Sequence, residues 1–184
     1  MKSQKVRVFW NVAAAYVGWF LVVGSAARGM AWLGLLVVLT LLLVHVTLAE
    51  RRTTEIGQLF VALVVGLAWE NVAVALGVIA FPQASLRMGW APAWIVGLWL
   101  LFATTWGGSL RWLASKPLVA CFLGALLGPL SYWAGVRMGA AAFPDPVVSL
   151  VLLALAWAAM LPAVLVLTER LHRRMEEPAP VQLR

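Results

Sequence analysis

Glu70 and Asn71, in the run LVVGLAWENVAVALG, are the residues of this chain best placed to do chemistry, because an acid inside a long apolar stretch has no water to ionise into. At a bilayer centre such an acid costs on the order of 2.5–3.5 kcal/mol on insertion scales. It must therefore face protein or a water pocket, and be protonated, paired or hydrated. Two readings are open: a proton or substrate site, or a neutral acid hydrogen-bonded to neighbouring helices. The available partners are Asn71 beside it, a central indole such as Trp99 or Trp157, and the hydroxyl of Tyr132. Arg137 belongs near a surface.

A second group lies where the fourth apolar run ends: Thr104, Thr105, Ser109 and Arg111, with Gly107-Gly108 between them. Thr105, Ser109 and Trp112 share a helix face, and with His45 they could line a polar pocket near the inner surface. That combination suggests a membrane-embedded enzyme using His45, Ser109 and Arg111. Each residue also has a plain account: hydroxyls bond back to their own helix, Arg111 snorkels, and His45 is a hydrogen-bonded core imidazole. A Ser109–His45–Glu70 triad fails on depth, since helix rise puts Glu70 about 10 Å or more further in. No nucleophile elbow, HExxH or phosphate loop occurs. Cys121 is the single cysteine and His45 and His172 the only imidazoles, so neither a metal site nor a cofactor is expected. A non-catalytic protein is favoured over an enzyme.

The elements that carry these residues follow from composition. Of 184 residues 64% are hydrophobic and 11% charged, against roughly 25% charged in a soluble domain. The mean hydropathy is +0.94. A chain this size cannot bury so much apolar surface in water, so its partner is the lipid bilayer. The formal charge of +7 does not point to nucleic acid, because Lys and Arg fall in short connections and tails. Six segments are long and apolar enough to span: 8–27, 31–49, 59–80, 92–113, 117–138 and 147–168. The reading is an all-α polytopic membrane protein, a six-helix transmembrane bundle in one domain over 1–168 with a charged tail over 169–184. The first span, whose apolar run exceeds an h-region and contains Asn11, reads as a retained helix rather than a signal peptide. With the amino terminus inside, Lys2, Lys5, Arg7, Arg51, Arg52, Arg111, Lys116, Arg170, Arg173, Arg174 and Arg184 lie on the cytoplasmic side, against Arg28, Arg87 and Arg137 outside. That bias places both termini in the cytoplasm.

Small residues predict how the spans meet. Ala62, Gly66, Glu70, Ala73 and Gly77 share one face of the third span, and Gly124, Gly128, Tyr132, Gly135 and Gly139 repeat the pattern in the fifth. Such faces let backbones approach closely, so the two spans are expected to pack through them. Pro129 and Pro162 should kink their helices. An inverted repeat between 8–80 and 92–168 finds no match, and no span looks broken in its middle, which argues against a transporter of that kind. Among the tryptophans, Trp10, Trp32, Trp90, Trp94, Trp112 and Trp133 fall near span ends as an aromatic belt, whereas Trp69, Trp99 and Trp157 fall nearer span centres and want acceptors.

The segment Ala91-Pro92-Ala93-Trp94 through Thr105, then Ser109-Leu110-Arg111-Trp112-Leu113, and the run GALLGPLSYWAGVRMGA over Gly124–Ala140, together with Trp10-Asn11, Gly18-Trp19, Trp157 and Pro162, resemble a bacterial membrane family catalogued as domain of unknown function 2878. The resemblance covers residues 9–165. It implies a multi-pass protein of the bacterial inner membrane with no assigned activity. Its members are often encoded beside enzymes resembling cyclopropane-fatty-acid synthases, which implies a partnership with lipid-modifying proteins by association. Members commonly carry polar residues, often a histidine, before the serine where this chain has Gly107-Gly108, and aspartate where it has Glu70. The oligomeric state is left open. Three functions compete: an accessory to membrane-lipid modification, a small transporter or flippase with Glu70 in a central cavity, and the enzyme described above.

Overall fold

The computed structural model describes residues 2–82 and 86–176. Six helices alternate in direction: α1 (Lys2–Ala27), α2 (Ala31–Leu48), α3 (Arg52–Ala75), α4 (Ala93–Ala103), α5 (Pro117–Arg137) and α6 (Pro146–Glu176). Two-residue strands β1 (Arg87–Met88) and β2 (Ala91–Pro92) pair antiparallel just before α4. The chain is an all-α polytopic membrane bundle. Without water, each backbone N–H and C=O must be satisfied internally, and unbroken runs of Leu, Val and Ala do this as helices. Five of the six helices are long and apolar enough to cross a membrane.

The helix ends have local causes. Gly77 and Gly139 adopt φ of +67° and +88° after α3 and α5. In both places the next amide reaches back to the last turn, Val78 N to Ala73 O at 2.8 Å and Ala140 N to Gly135 O at 3.0 Å, closing it in a Schellman motif. The two exits then pair, Ala80 and Ala142 exchanging backbone hydrogen bonds at 2.8 and 2.9 Å. Pro117 opens α5. Asp145 accepts the amides of Val147 and Val148 at the start of α6.

Several sequence expectations are corrected here. The third helix runs from Arg52 to Ala75, not 59–80, so it begins nearly two turns earlier and stops at the glycine. The fourth span is not a continuous helix over 92–113. It breaks after Ala103 into tight turns and a 3-10 helix over Arg111–Ser115. The cause is local: the Thr104 and Thr105 hydroxyls donate to the carbonyls of Leu101 and Phe102, and the amides of 104–106 bond three residues back instead of four. The sixth helix continues past 168 to Glu176, and the rest of the expected tail lies outside the described residues. Trp94 is no belt residue: it is buried, edge-on to Phe81.

Nor do α3 and α5 pack directly through their glycine faces. Each face meets another helix instead: the Trp99 indole of α4 lies on Gly66, while in α5 the Trp157 indole of α6 lies on Gly128 and the backbone carbonyl of Trp157 lies on Gly124. Gly135 has only Val23 nearby, and Gly77 and Gly139 have open space around them, so the last two serve the turns rather than packing.

Candidate functional site

Glu70 is fully buried at the centre of this arrangement. Its Oε1 accepts the Trp99 indole N–H at 2.8 Å and the Tyr132 hydroxyl, so one oxygen ties α3 to α4 and α5. The Trp69 indole in turn donates to the Tyr132 oxygen at 3.2 Å. Trp157 of α6 stacks on Trp99, with ring centroids 4.9 Å apart, and meets Tyr132 edge-on. Oε2 of Glu70 is buried and has no partner among the described residues. A buried polar oxygen without a partner is costly, so it marks a place where a proton or a bound group belongs.

Asn71 does not join this cluster. Its side chain leaves the helix and holds the β hairpin: Oδ1 accepts the Trp90 amide at 2.6 Å, and Nδ2 donates to the carbonyls of Met88 and Leu67. One residue along a helix is a turn of about 100°, which carries Asn71 off the buried face. Arg137 lies over Trp133, 5.7 Å from its ring centroid.

The residues of the second group sit at the other end of the bundle, each with a different partner. His45 pairs with Glu55 at 2.9 Å. Ser109 donates to Asn11 Oδ1 at 3.2 Å, Arg111 pairs with Glu169 at 3.0 Å, and Thr105 bonds its own helix. No hydrogen bond joins His45 to Ser109 among the described residues. They are linked only through intermediates, which the broken α4 explains. At the break the Ala103 carbonyl, which takes the Trp106 amide, also accepts Gln58 Nε2, and the Thr104 carbonyl accepts Asn11 Nδ2. Gln58 also donates to Glu55. The polar side chains here therefore supply the helix–backbone bonds that α4 lacks.

Asn11, Glu55, Gln58, Thr168 and His172 are site residues that sequence reasoning missed. Gln58 was legible: stepping back four residues along Ala62, Gly66 and Glu70 reaches Gln58 and then Thr54, both buried. The His172 Nδ1–H donates to the Thr168 carbonyl one turn earlier, and the ring lies against Gly107 beside the Gln58 oxygen. It fell in what composition marks as a tail. Among the described residues no cluster of three His, Cys, Asp or Glu side chains could hold a metal.

Neither the curated proteins nor the solved structures contain a match to this chain. One protein-family model, described as "protein of unknown function (DUF2878)", matches residues 8–163, taking in the Glu70 cluster, the break in α4 and the tryptophan of α6. The chain belongs to that family.

Proposed function

We propose that the protein is a non-catalytic, multi-pass component of the bacterial inner membrane that assists a membrane-lipid modification system at the cytoplasmic face. The observation that carries this reading is the dispersal of His45, Ser109 and Arg111 onto Glu55, Asn11 and Glu169. Three groups committed to three separate interhelical bonds do not converge on a reacting atom. The lipid connection rests on the family resemblance and its gene neighbourhood alone. Lipid profiling of a deletion strain against wild type tests it: a changed fatty-acid profile, restored equally by the native protein and by Ser109→Ala, is the expected result. An unchanged profile under several stresses overturns the lipid role, and failure of Ser109→Ala to restore it overturns the non-catalytic one.

A second reading is favoured by the unpartnered Oε2 of Glu70. A single buried acid with one free oxygen, at the meeting point of four helices, is the arrangement by which membrane proteins bind a proton or a cation on its way across. In this reading the protein is a small carrier, and Glu70→Gln abolishes flux into proteoliposomes while leaving the fold in place.

A further inference from the structure

The buried face of α3 is repeated in α5. Gln58, Ala62, Gly66, Glu70 and Ala73 are buried, and so are Ala120, Gly124, Gly128, Tyr132 and Gly135, each 62 positions later. Both helices end on a left-handed glycine followed by two apolar residues and the same Ala-Phe-Pro, Gly77-Val78-Ile79-Ala80-Phe81-Pro82 and Gly139-Ala140-Ala141-Ala142-Phe143-Pro144. The following helix of each hairpin seats a tryptophan on the shared glycine position, Trp99 on Gly66 and Trp157 on Gly128. These tryptophans are 58 positions apart, as are Arg111 and Glu169. Counted the same way, the break in α4 at Thr104 falls opposite Pro162 of α6.

Corresponding residues also touch one another. Ala80 pairs with Ala142, Glu70 with Tyr132, Trp99 with Trp157 and Arg111 with Glu169. A residue in contact with its own counterpart lies on a two-fold axis. Four such pairs, strung from one face of the bundle to the other, define that axis, and both hairpins run the same way along it. This is the parallel kind of repeat, which a comparison of inverted halves cannot detect.

We propose that α3–α4 and α5–α6 are two copies of one helical hairpin related by a two-fold axis along the bundle, and that Glu70, with the rings of Tyr132, Trp99 and Trp157 on that axis, is the binding site for a small organic ammonium cation. The inference rests on the carrier reading above and gives its substrate class. The chemistry follows from what surrounds the acid. Oε1 is occupied by two donors, whereas Oε2 has no partner, so a cation arriving there takes the place of the acid's proton. Aromatic faces attract a cation through their quadrupole, and an acid backed by rings is the combination that holds alkylammonium groups. No described Lys or Arg side chain is buried, so the protein supplies no internal cation of its own. Both ends of the axis are shut, by the Ala80–Ala142 bridge at one and the Arg111–Glu169 pair at the other. Entry therefore requires the hairpins to part at one end, and the break at Thr104, with Pro162 opposite it removing one hydrogen bond from the otherwise continuous α6, provides the bending points.

The test uses the full chain purified in detergent and titrated with tetraethylammonium chloride against matched potassium chloride, read by tryptophan fluorescence and calorimetry. Saturable binding is expected in the native protein and is lost in Glu70→Gln, whose melting temperature stays near native. The exchange variant Glu70→Tyr with Tyr132→Glu moves the acid to its counterpart and should bind again. If that exchange does not fold, Tyr132→Glu in the Glu70→Gln background carries the same test with a smaller change. Absence of binding by the native protein, or equal binding by Glu70→Gln, overturns the site. A folded exchange variant without binding overturns the two-fold relation. Cation flux into proteoliposomes is scored separately: binding without flux sinks the carrier reading and leaves the site standing, whereas proton flux without tetraethylammonium binding does the reverse.

Discussion

At the scale of single residues, Glu70 is first a clasp. A glutamine there keeps an oxygen that can accept from Trp99 and Tyr132, so Glu70→Gln should melt close to the native protein. Glu70→Leu removes the acceptor and leaves the Trp99 N–H and Tyr132 hydroxyl buried and unpaired, which should cost about 1–3 kcal/mol. Thermal unfolding in detergent separates the two, and equal destabilisation by both would mean that the charge, not the hydrogen bonds, holds the site. Asn11 offers a parallel comparison. Asn11→Ala strands the Thr104 carbonyl and should cost about 1–3 kcal/mol, whereas Ser109→Ala removes only a partly buried donor and should cost about 0.5–1.5 kcal/mol. The acid itself was legible in the sequence because charge inside an apolar run is conspicuous. Its partners were only partly so. Trp99, Tyr132, Trp157 and Asn71 all have suitable chemistry, and helix rotation, which composition does not encode, gives Trp99 and Tyr132 the hydrogen bonds while turning Asn71 to the loop.

At the scale of elements, glycines that look alike in a sequence do different work, and substitution should tell them apart. A Cβ at Gly66 would lie 2.6 Å from Trp99 Cγ, so Gly66→Ala forces the indole that caps Glu70 to move. It should destabilise by about 1–3 kcal/mol through overpacking and also perturb the tryptophan near-ultraviolet signal. Gly77 has open space around it but a φ of +67°, so Gly77→Ala should cost about 1–2 kcal/mol through backbone strain alone, with that signal unchanged. Matching spectra for the two variants would refute the distinction. Four-residue spacing revealed the face in α3 and α5 but not what fills it, since small residues accommodate an indole as readily as a backbone. The break in α4 was half legible. Hydropathy falls after Ala103, through Thr104-Thr105-Trp106-Gly107-Gly108-Ser109, but lipid tolerates irregular backbone only where protein caps its carbonyls, and those caps are not local. Those caps, Gln58 and Asn11, come from helices 45 and 93 residues distant in sequence.

At the scale of the whole molecule, the apolar runs and turn residues were enough to read six helices, because each run must satisfy its own backbone in lipid. The crossing number needs a further step, since α4 holds 11 helical residues. At about 1.5 Å per residue that is about 16 Å, half the ~30 Å hydrocarbon thickness. An element this short could be re-entrant, which would leave five crossings and put the termini on opposite sides. The contacts decide otherwise. Trp94, in the first turn of α4, packs on Phe81 beside the Ala80–Ala142 end, while Arg111, past the break, pairs with Glu169 at the far end of α6. The segment from Trp94 to Arg111 thus runs the full length of the bundle, and the turns and 3-10 helix make up what the α-helix lacks. Six crossings put both ends of the described chain on one side, and the positive-inside rule predicts that this side, with its excess of Lys and Arg, faces the cytoplasm. Reporter fusions at Arg184 and between Pro82 and Ala91 should therefore give cytoplasmic and periplasmic signals respectively. A periplasmic signal at Arg184, with the amino terminus fixed in the cytoplasm by a protected tag, would show that α4 turns back within the bilayer.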